Sequence, residues 1–195
     1  MTEIEKVKKW LVLFGEKITE NEEYLNELDA AIGDGDHGTN MKRGAQALID
    51  KLESRDYADL ADLFKEVGMT LVSKVGGASG HLYGSAFIEM STKAKDSNDL
   101  AAILSAGLDG INKRGKAEIG EKTLLDMWTH AVDALQDGTL SKEVIDEALM
   151  DTKEMKATKG RASFLGDCSI GCIDPGIQSS AYLFTALLET GVLDE

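Results

Sequence analysis

A single proline, Pro175, in 195 residues leaves nearly the whole chain free to run as helix. Apolar residues use that freedom by recurring at helical spacing rather than alternating. Ile4, Val7, Trp10, Leu11, Phe14 and Ile18 form the first stripe. Thr19 and Glu22 then stand three apart like a capping box, opening a short helix over Tyr24, Leu25 and Leu28. Further stripes begin at Met41, Leu60, Phe87, Leu100, Leu124, Val144 and Ile177. The pattern predicts an all-α fold of about eight antiparallel amphipathic helices, closed into an up-and-down helical barrel. No strand is expected, because 164–173 carries Gly166 and Gly171 and does not alternate. With 43% hydrophobic composition and nothing resembling a linker, residues 1–195 read as one domain.

Charge restricts the partners. The chain carries 35 acidic against 21 basic residues, a formal net charge of −14, which disfavours nucleic acid and anionic membrane. The N-terminus has no basic-then-apolar run, and no stretch reaches the length of a membrane span, so a cytoplasmic protein is expected. Cys168 and Cys172 make no zinc or disulfide framework, and a reduced compartment suits them.

Against that background, Asp29, Asp34 and Asp36 fall within eight residues, interleaved with Gly33, Gly35 and Gly38. Carboxylates so close repel unless a cation sits between them, and hard oxygen ligands suit Mg²⁺ or Ca²⁺. An EF-hand would need glutamate at its twelfth loop position, where this chain has Ala45. The loop runs on through His37, Gly38, Thr39 and Asn40 into a helix, with Thr39 or Asn40 as the expected cap. His37 is open to three readings: phosphoryl acceptor, phosphate partner or loop lock.

Other glycines mark further interhelical loops. Gly76, Gly77 and Gly80, with Ala78 and Ser79 between them, precede a helix and let backbone N–H groups approach a phosphate. They form neither a Walker A loop nor a dinucleotide fingerprint. In an up-and-down bundle alternate loops share one end, so this turn, the aspartate loop, Gly115/Gly120 and Gly160/Gly166 can form one rim. Lys153, Lys156, Lys159 and Arg161 concentrate positive charge in an acidic protein, and Arg161 has the planar fork for an anion clamp. Asp174, Pro175 and Gly176 then open the last helix.

Taken in order, these motifs resemble the L-subunit family of bacterial dihydroxyacetone kinases over essentially the whole chain. The resemblance implies an eight-helix barrel holding ADP or ATP tightly at one rim through two Mg²⁺ ions. It implies that Asp29, Asp34 and Asp36 are the metal ligands, and that His37, Gly38, Thr39, Asn40, Ala78 and Ser79 contact the phosphates. Gly115, Leu124, Arg161, Asp174, Pro175 and Gly176 would line the nucleotide; no residue is assigned as catalytic. It further implies a phosphotransferase subunit that accepts a phosphoryl group from a phosphohistidine protein (DhaM) and passes it to dihydroxyacetone on a K subunit (DhaK). An ATP-dependent kinase subunit, for dihydroxyacetone or another acceptor, and a non-catalytic module reporting nucleotide state are the alternative functions. An Mg-diphosphate enzyme of isoprenoid-synthase type fits less well, since its aspartates project from continuous helices.

Overall fold

The computed structural model describes residues 2–193. Its helices are α1 (Glu3–Glu20), α2 (Glu22–Ile32), α3 (His37–Ser54), α4 (Leu60–Lys74), α5 (Gly77–Lys93), α6 (Leu100–Gly115), α7 (Leu124–Gln136), α8 (Lys142–Lys153) and α9 (Pro175–Glu189). A 3₁₀ segment, Arg161–Ser169, lies between the last two. Among the described residues there is no strand, as the apolar spacing requires.

Packing follows the chain around a ring. α3 lies against α4, α4 against α5, and so on to α9, while α1 contacts both α3 and α9 and closes the circuit. At that closure the Trp10 indole N–H donates to the Leu183 carbonyl at 2.9 Å. The eight expected barrel helices are thus α1 and α3 to α9. The ninth, α2, packs against α3 and α9. Each ring helix turns an apolar stripe inward, and Trp10, Phe14, Phe64, Tyr83, Phe87, Trp128 and Phe184 are fully buried there.

Local details depart from the sequence reading in three places. The Thr19 and Glu22 capping box does not form: the Thr19 hydroxyl donates to the Gly15 carbonyl, α1 runs on to Glu20, and α2 starts after Asn21 without a side-chain cap. α5 begins at Gly77, ten residues before the stripe at Phe87, because its first turns pack through glycines rather than large apolar side chains. α3 starts at His37 behind Asp36, so neither Thr39 nor Asn40 caps it.

Small residues set how closely the ring packs. A Cβ at Gly110 of α6 would lie 2.6 Å from the Ser85 carbonyl oxygen of α5, and backbone cannot move aside as a side chain can. Replacing glycine by alanine in a helix interior gains up to about 1 kcal/mol of propensity, whereas overpacking costs about 1–3 kcal/mol. The steric cost wins. Gly110→Ala is therefore expected to lower the thermal midpoint by several degrees, and a midpoint equal to or above wild type would show that α5 and α6 have slack.

Candidate functional site

Four helices begin at one place. The first residues of α3, α5, α7 and α9 (His37, Gly77, Leu124 and Pro175) all line a cleft of about 380 Å³. An α-helix leaves its first N–H groups without intrahelical acceptors and carries about half a positive charge at that end. α7 and α9 are capped in place by Thr123 and Asp174, which accept from Leu125 N–H and Ile177 N–H. α3 and α5 have no side-chain cap bond at Asp36 and Gly76. The Gly77, Ala78 and Ser79 N–H groups thus lack intrahelical acceptors, in a turn where Gly77 has φ +69°.

Opposite these ends stand the carboxylates. Asp29, in the last turns of α2, accepts from the Asp36 N–H at 2.9 Å and the His37 N–H at 3.0 Å, tying α2 to the start of α3. Asp29, Asp34 and Asp36 each present one oxygen, all within 4.8 Å of one another. A Cβ at Gly33 would overlap the Asp29 carboxylate and push it from its place, so glycine there leaves room for that side chain. Oxygen-only donors at this density suit a hard divalent cation that keeps positions free for water and phosphate. Across the cleft Arg161, on the 3₁₀ segment, ion-pairs with Asp34.

His37 is only 8% exposed, and both ring nitrogens face hydroxyls: Nδ1 lies 3.3 Å from Ser79 Oγ and Nε2 lies 3.1 Å from Ser179 Oγ. Burial pushes its pKa down to about 4, against the pull of Asp29 and Asp36. The imidazole bridges α3, α5 and α9, a geometry that suits the loop-lock reading. The network extends through Ser179 to the buried Tyr83 hydroxyl, 2.8 Å away, which also meets Ser180 at 2.8 Å. Asp174 is half-buried, and desolvation raises its pKa to about 6 although the Ile177 and Gly176 N–H groups favour the carboxylate.

The expected site residues converge unevenly. Asp29, Asp34, Asp36, His37, Asn40, Ala78, Ser79, Leu124, Arg161, Asp174, Pro175 and Gly176 line the cleft. Gly115 lines an adjoining, largely apolar pocket of about 360 Å³, with Leu82, Ile111 and Leu125. Gly38 and Thr39 line neither cavity. Gly38 lies against the Glu22 carbonyl, and the Thr39 N–H donates to Asn26 at 3.0 Å. Of the basic run, Lys159 and Arg161 reach the cleft, whereas Lys156 pairs with Asp167 at 2.8 Å.

Sequence reasoning missed Lys122, Asp126, Tyr83 and the Ser179/Ser180 pair. The Asp126 carboxylate is fully buried and accepts from Gly120 N–H at 2.6 Å and Thr123 N–H at 2.8 Å, fixing the loop ahead of α7. Its signal was present as a capping box, Thr123 and Asp126, directly before an apolar stripe. Two adjacent serines inside the apolar run of α9 were the corresponding sign of a buried polar network.

A ring of helices whose rim brings together helix ends suited to a polyphosphate and carboxylates suited to a divalent cation, beside an apolar pocket, fits a nucleotide-binding helical domain. The chain belongs to the DAK2-domain family, whose pattern matches residues 31–189. It is 53% identical over 188 residues to the Listeria innocua PEP-dependent dihydroxyacetone kinase 1, ADP-binding subunit DhaL, covering 94% of this chain and 95% of that one. It is 51% identical over 189 residues to the Lactococcus lactis PTS-dependent dihydroxyacetone kinase, ADP-binding subunit DhaL, covering 97% and 98%. The fold matches the crystal structure of the dihydroxyacetone kinase from C. freundii in complex with AMP-PNP and Mg²⁺, with TM-score 0.78 and 28% identity over 94% of this chain. This chain spans 33% of that protein.

The two shifted groups act on stability in opposite directions. Asp174, ordinarily near 3.8 and here near 6, holds its proton longer when folded, so stability falls as pH rises through that window. His37, ordinarily 6.5 and here near 4, holds fewer protons when folded, so stability rises between those values. In magnesium-free protein the two slopes offset each other. Asp174→Asn, which keeps a competent cap, should therefore show stability rising more steeply than wild type from pH 4 to 6. Urea midpoints across that range decide it, and parallel curves would refute the raised Asp174 pKa.

Proposed function

We propose that this chain is the nucleotide-holding subunit of a phosphotransferase-dependent dihydroxyacetone kinase, acting as a single domain over residues 1–195 in the cytoplasm. No helix among the described residues is long and apolar enough to cross a membrane, which is compatible with that location. ADP stays in the cleft as a cofactor. It accepts a phosphoryl group from a phosphohistidine protein of the DhaM kind and passes it to dihydroxyacetone held on a DhaK subunit. The observation that carries this reading is the meeting of converging helix N-termini, that of α5 without a side-chain cap, with three converging carboxylates in a cleft that adjoins an apolar pocket.

The site divides by chemistry. Asp29, Asp34 and Asp36 would hold two Mg²⁺ ions, which supply neutralising charge for the phosphate oxygens when bound. The N–H groups of Ala78 and Ser79, with Asn40 and Arg161, suit the diphosphate. Gly115 and Leu124 suit the base, and Asp174, Pro175 and Gly176 the floor beneath it. Gly38 and Thr39, which line neither cavity, would act indirectly by seating the start of α3 against Glu22 and Asn26 of α2. These residues orient and screen charge, which is most of what phosphoryl transfer asks of a protein. Both nitrogens of His37 are engaged by serine hydroxyls, which supports a route in which the phosphoryl group remains with the nucleotide.

Both curated relatives compared above are described as subunits and are matched over nearly their full length, which supports a partnered enzyme. Phe164, 90% exposed on the 3₁₀ segment that carries Arg161, offers an apolar contact beside the cleft for the protein that delivers or receives the phosphoryl group.

The test is retention of radiolabelled ADP on the purified protein through many turnovers with DhaK, DhaM and the phosphoenolpyruvate relay. Label is expected to stay bound, and Asp34→Ala to lower transfer by roughly a hundredfold. Rapid exchange with free nucleotide and sustained ATP-driven turnover would make ADP a product and the protein an ATP-dependent kinase subunit. Failure of any transfer despite tight Mg-ADP binding would leave a nucleotide-sensing module. Phe164→Ser should retain ADP as wild type does while slowing transfer several-fold at limiting partner; unchanged partner dependence would remove Phe164 from the docking surface.

A further inference from the structure

Lys122 lines the cleft, yet its side chain is spent elsewhere. The residue is 1% exposed, and its ammonium donates to three carbonyls: Lys153 at 3.1 Å, Met155 at 3.0 Å and Ser169 at 2.6 Å. Those three acceptors bracket one strap of chain, from the end of α8 to the end of the 3₁₀ segment. An ammonium has three protons, so none remains for a phosphate. Lys122 also has φ +61°, a left-handed conformation uncommon for a residue with a β-carbon, which the surrounding contacts must hold in place.

The strap has a nine-residue 3₁₀ segment as its regular structure between α8 and α9. It carries Arg161, which faces Asp34, and leads into Asp174 at the start of α9. Apart from Lys122, Lys156 pairs with Asp167 within the strap at 2.8 Å, and toward the loop ahead of α7 the Thr158 N–H donates to the Glu121 carbonyl at 3.3 Å and Lys159 Nζ to the Lys116 carbonyl at 3.0 Å. Ser169 Oγ accepts from the Ala157 N–H at 2.9 Å and donates to the Gly166 carbonyl at 2.6 Å, and the Gly171 N–H donates to the Lys153 carbonyl at 2.8 Å.

We propose that Lys122 is a positioning residue that pins the 153–169 strap beside the cleft, places Arg161 against the phosphate side of the site, and thereby sets how slowly a bound nucleotide leaves. This rests on the reading of the cleft as a nucleotide site. The anchor is placed well for that purpose, since Lys122 immediately precedes Thr123, the cap of α7, and so joins the strap to one of the four converging helix ends.

The full-length protein with Mg²⁺ and a fluorescent ADP analogue tests it, using Lys122→Met and Ser169→Ala. Lys122→Met removes the three-carbonyl tie; Ser169→Ala loosens the same strap while leaving the lysine charge in place. Both are expected to speed release on the order of tenfold, as loss of a charge-assisted anchor implies. Both should also open the strap to trypsin at Lys156, Lys159 and Arg161 with helical circular dichroism unchanged. If Lys122→Met speeds release while its strap stays protected and Ser169→Ala is silent, Lys122 acts through its charge on the phosphates and the proposal falls. It falls equally if neither release nor trypsin cleavage changes. Should Lys122→Met not fold, the release rate and trypsin pattern of Ser169→Ala decide alone. If wild type binds no Mg-ADP analogue, the nucleotide reading fails instead, and the trypsin comparison still tests the anchor.

Discussion

Bringing four helix N-termini to one cleft is electrostatically unfavourable by itself, and the rest of the rim is arranged around that fact. Each end carries roughly half a positive charge directed at its neighbours. Carboxylates offset it from within the protein: Asp29 takes two N–H groups where α2 meets α3, Asp126 fixes the loop before α7, and Asp174 caps α9. α3 and α5 both begin with neither a side-chain cap nor an acidic residue in the first turn, but Asp29 takes the first N–H groups at α3, which leaves α5 as the barer end. It is therefore the end most open to an anion from outside. In a chain of net charge −14 this local positive character is a product of backbone direction more than of basic side chains.

Rigidity at the rim comes from buried polar groups in place of apolar packing. His37, Ser79, Ser179, Tyr83 and Ser180 form one hydrogen-bonded run through α3, α5 and α9. Each group satisfied in such a run would cost free energy if left alone, so the helices cannot slide independently. Below it, the ring fills with aromatic and aliphatic side chains, including the edge-to-face pair of Trp128 and Phe184 at 5.2 Å. The fold thus places a stiff polar end on an ordinary hydrophobic body.

How legible this was in the sequence depended on the physical scale of each feature. The apolar period of α1, α3, α4, α6, α7 and α9 located helices well, because burial of a stripe is repeated over several turns. α5 was located only in its second half, because glycine leaves no apolar signal where helices approach most closely. The aspartate loop was legible because three carboxylates that near one another are costly without a cation. Which N–H groups the loop itself would use was not legible: Thr39 and Asn40 look like caps, yet the carboxylate of Asp29, contributed from the preceding helix, receives the first N–H of α3. Lys122 was invisible because its role depends on carbonyls 31, 33 and 47 residues away, and a carbonyl has no residue type.

The bond between Trp10 and Leu183 joins positions 173 residues apart. During synthesis α1 leaves the ribosome well before α9, one of its two neighbours in the ring. The same late helix brings Ser179, Ser180 and the Asp174 end of the cleft. Closing so distant a contact is entropically slow. The binding cleft and the closed barrel therefore come into being together, and a nascent chain short of α9 presents the Trp10 face of α1 to chaperones before it can present a site to any ligand.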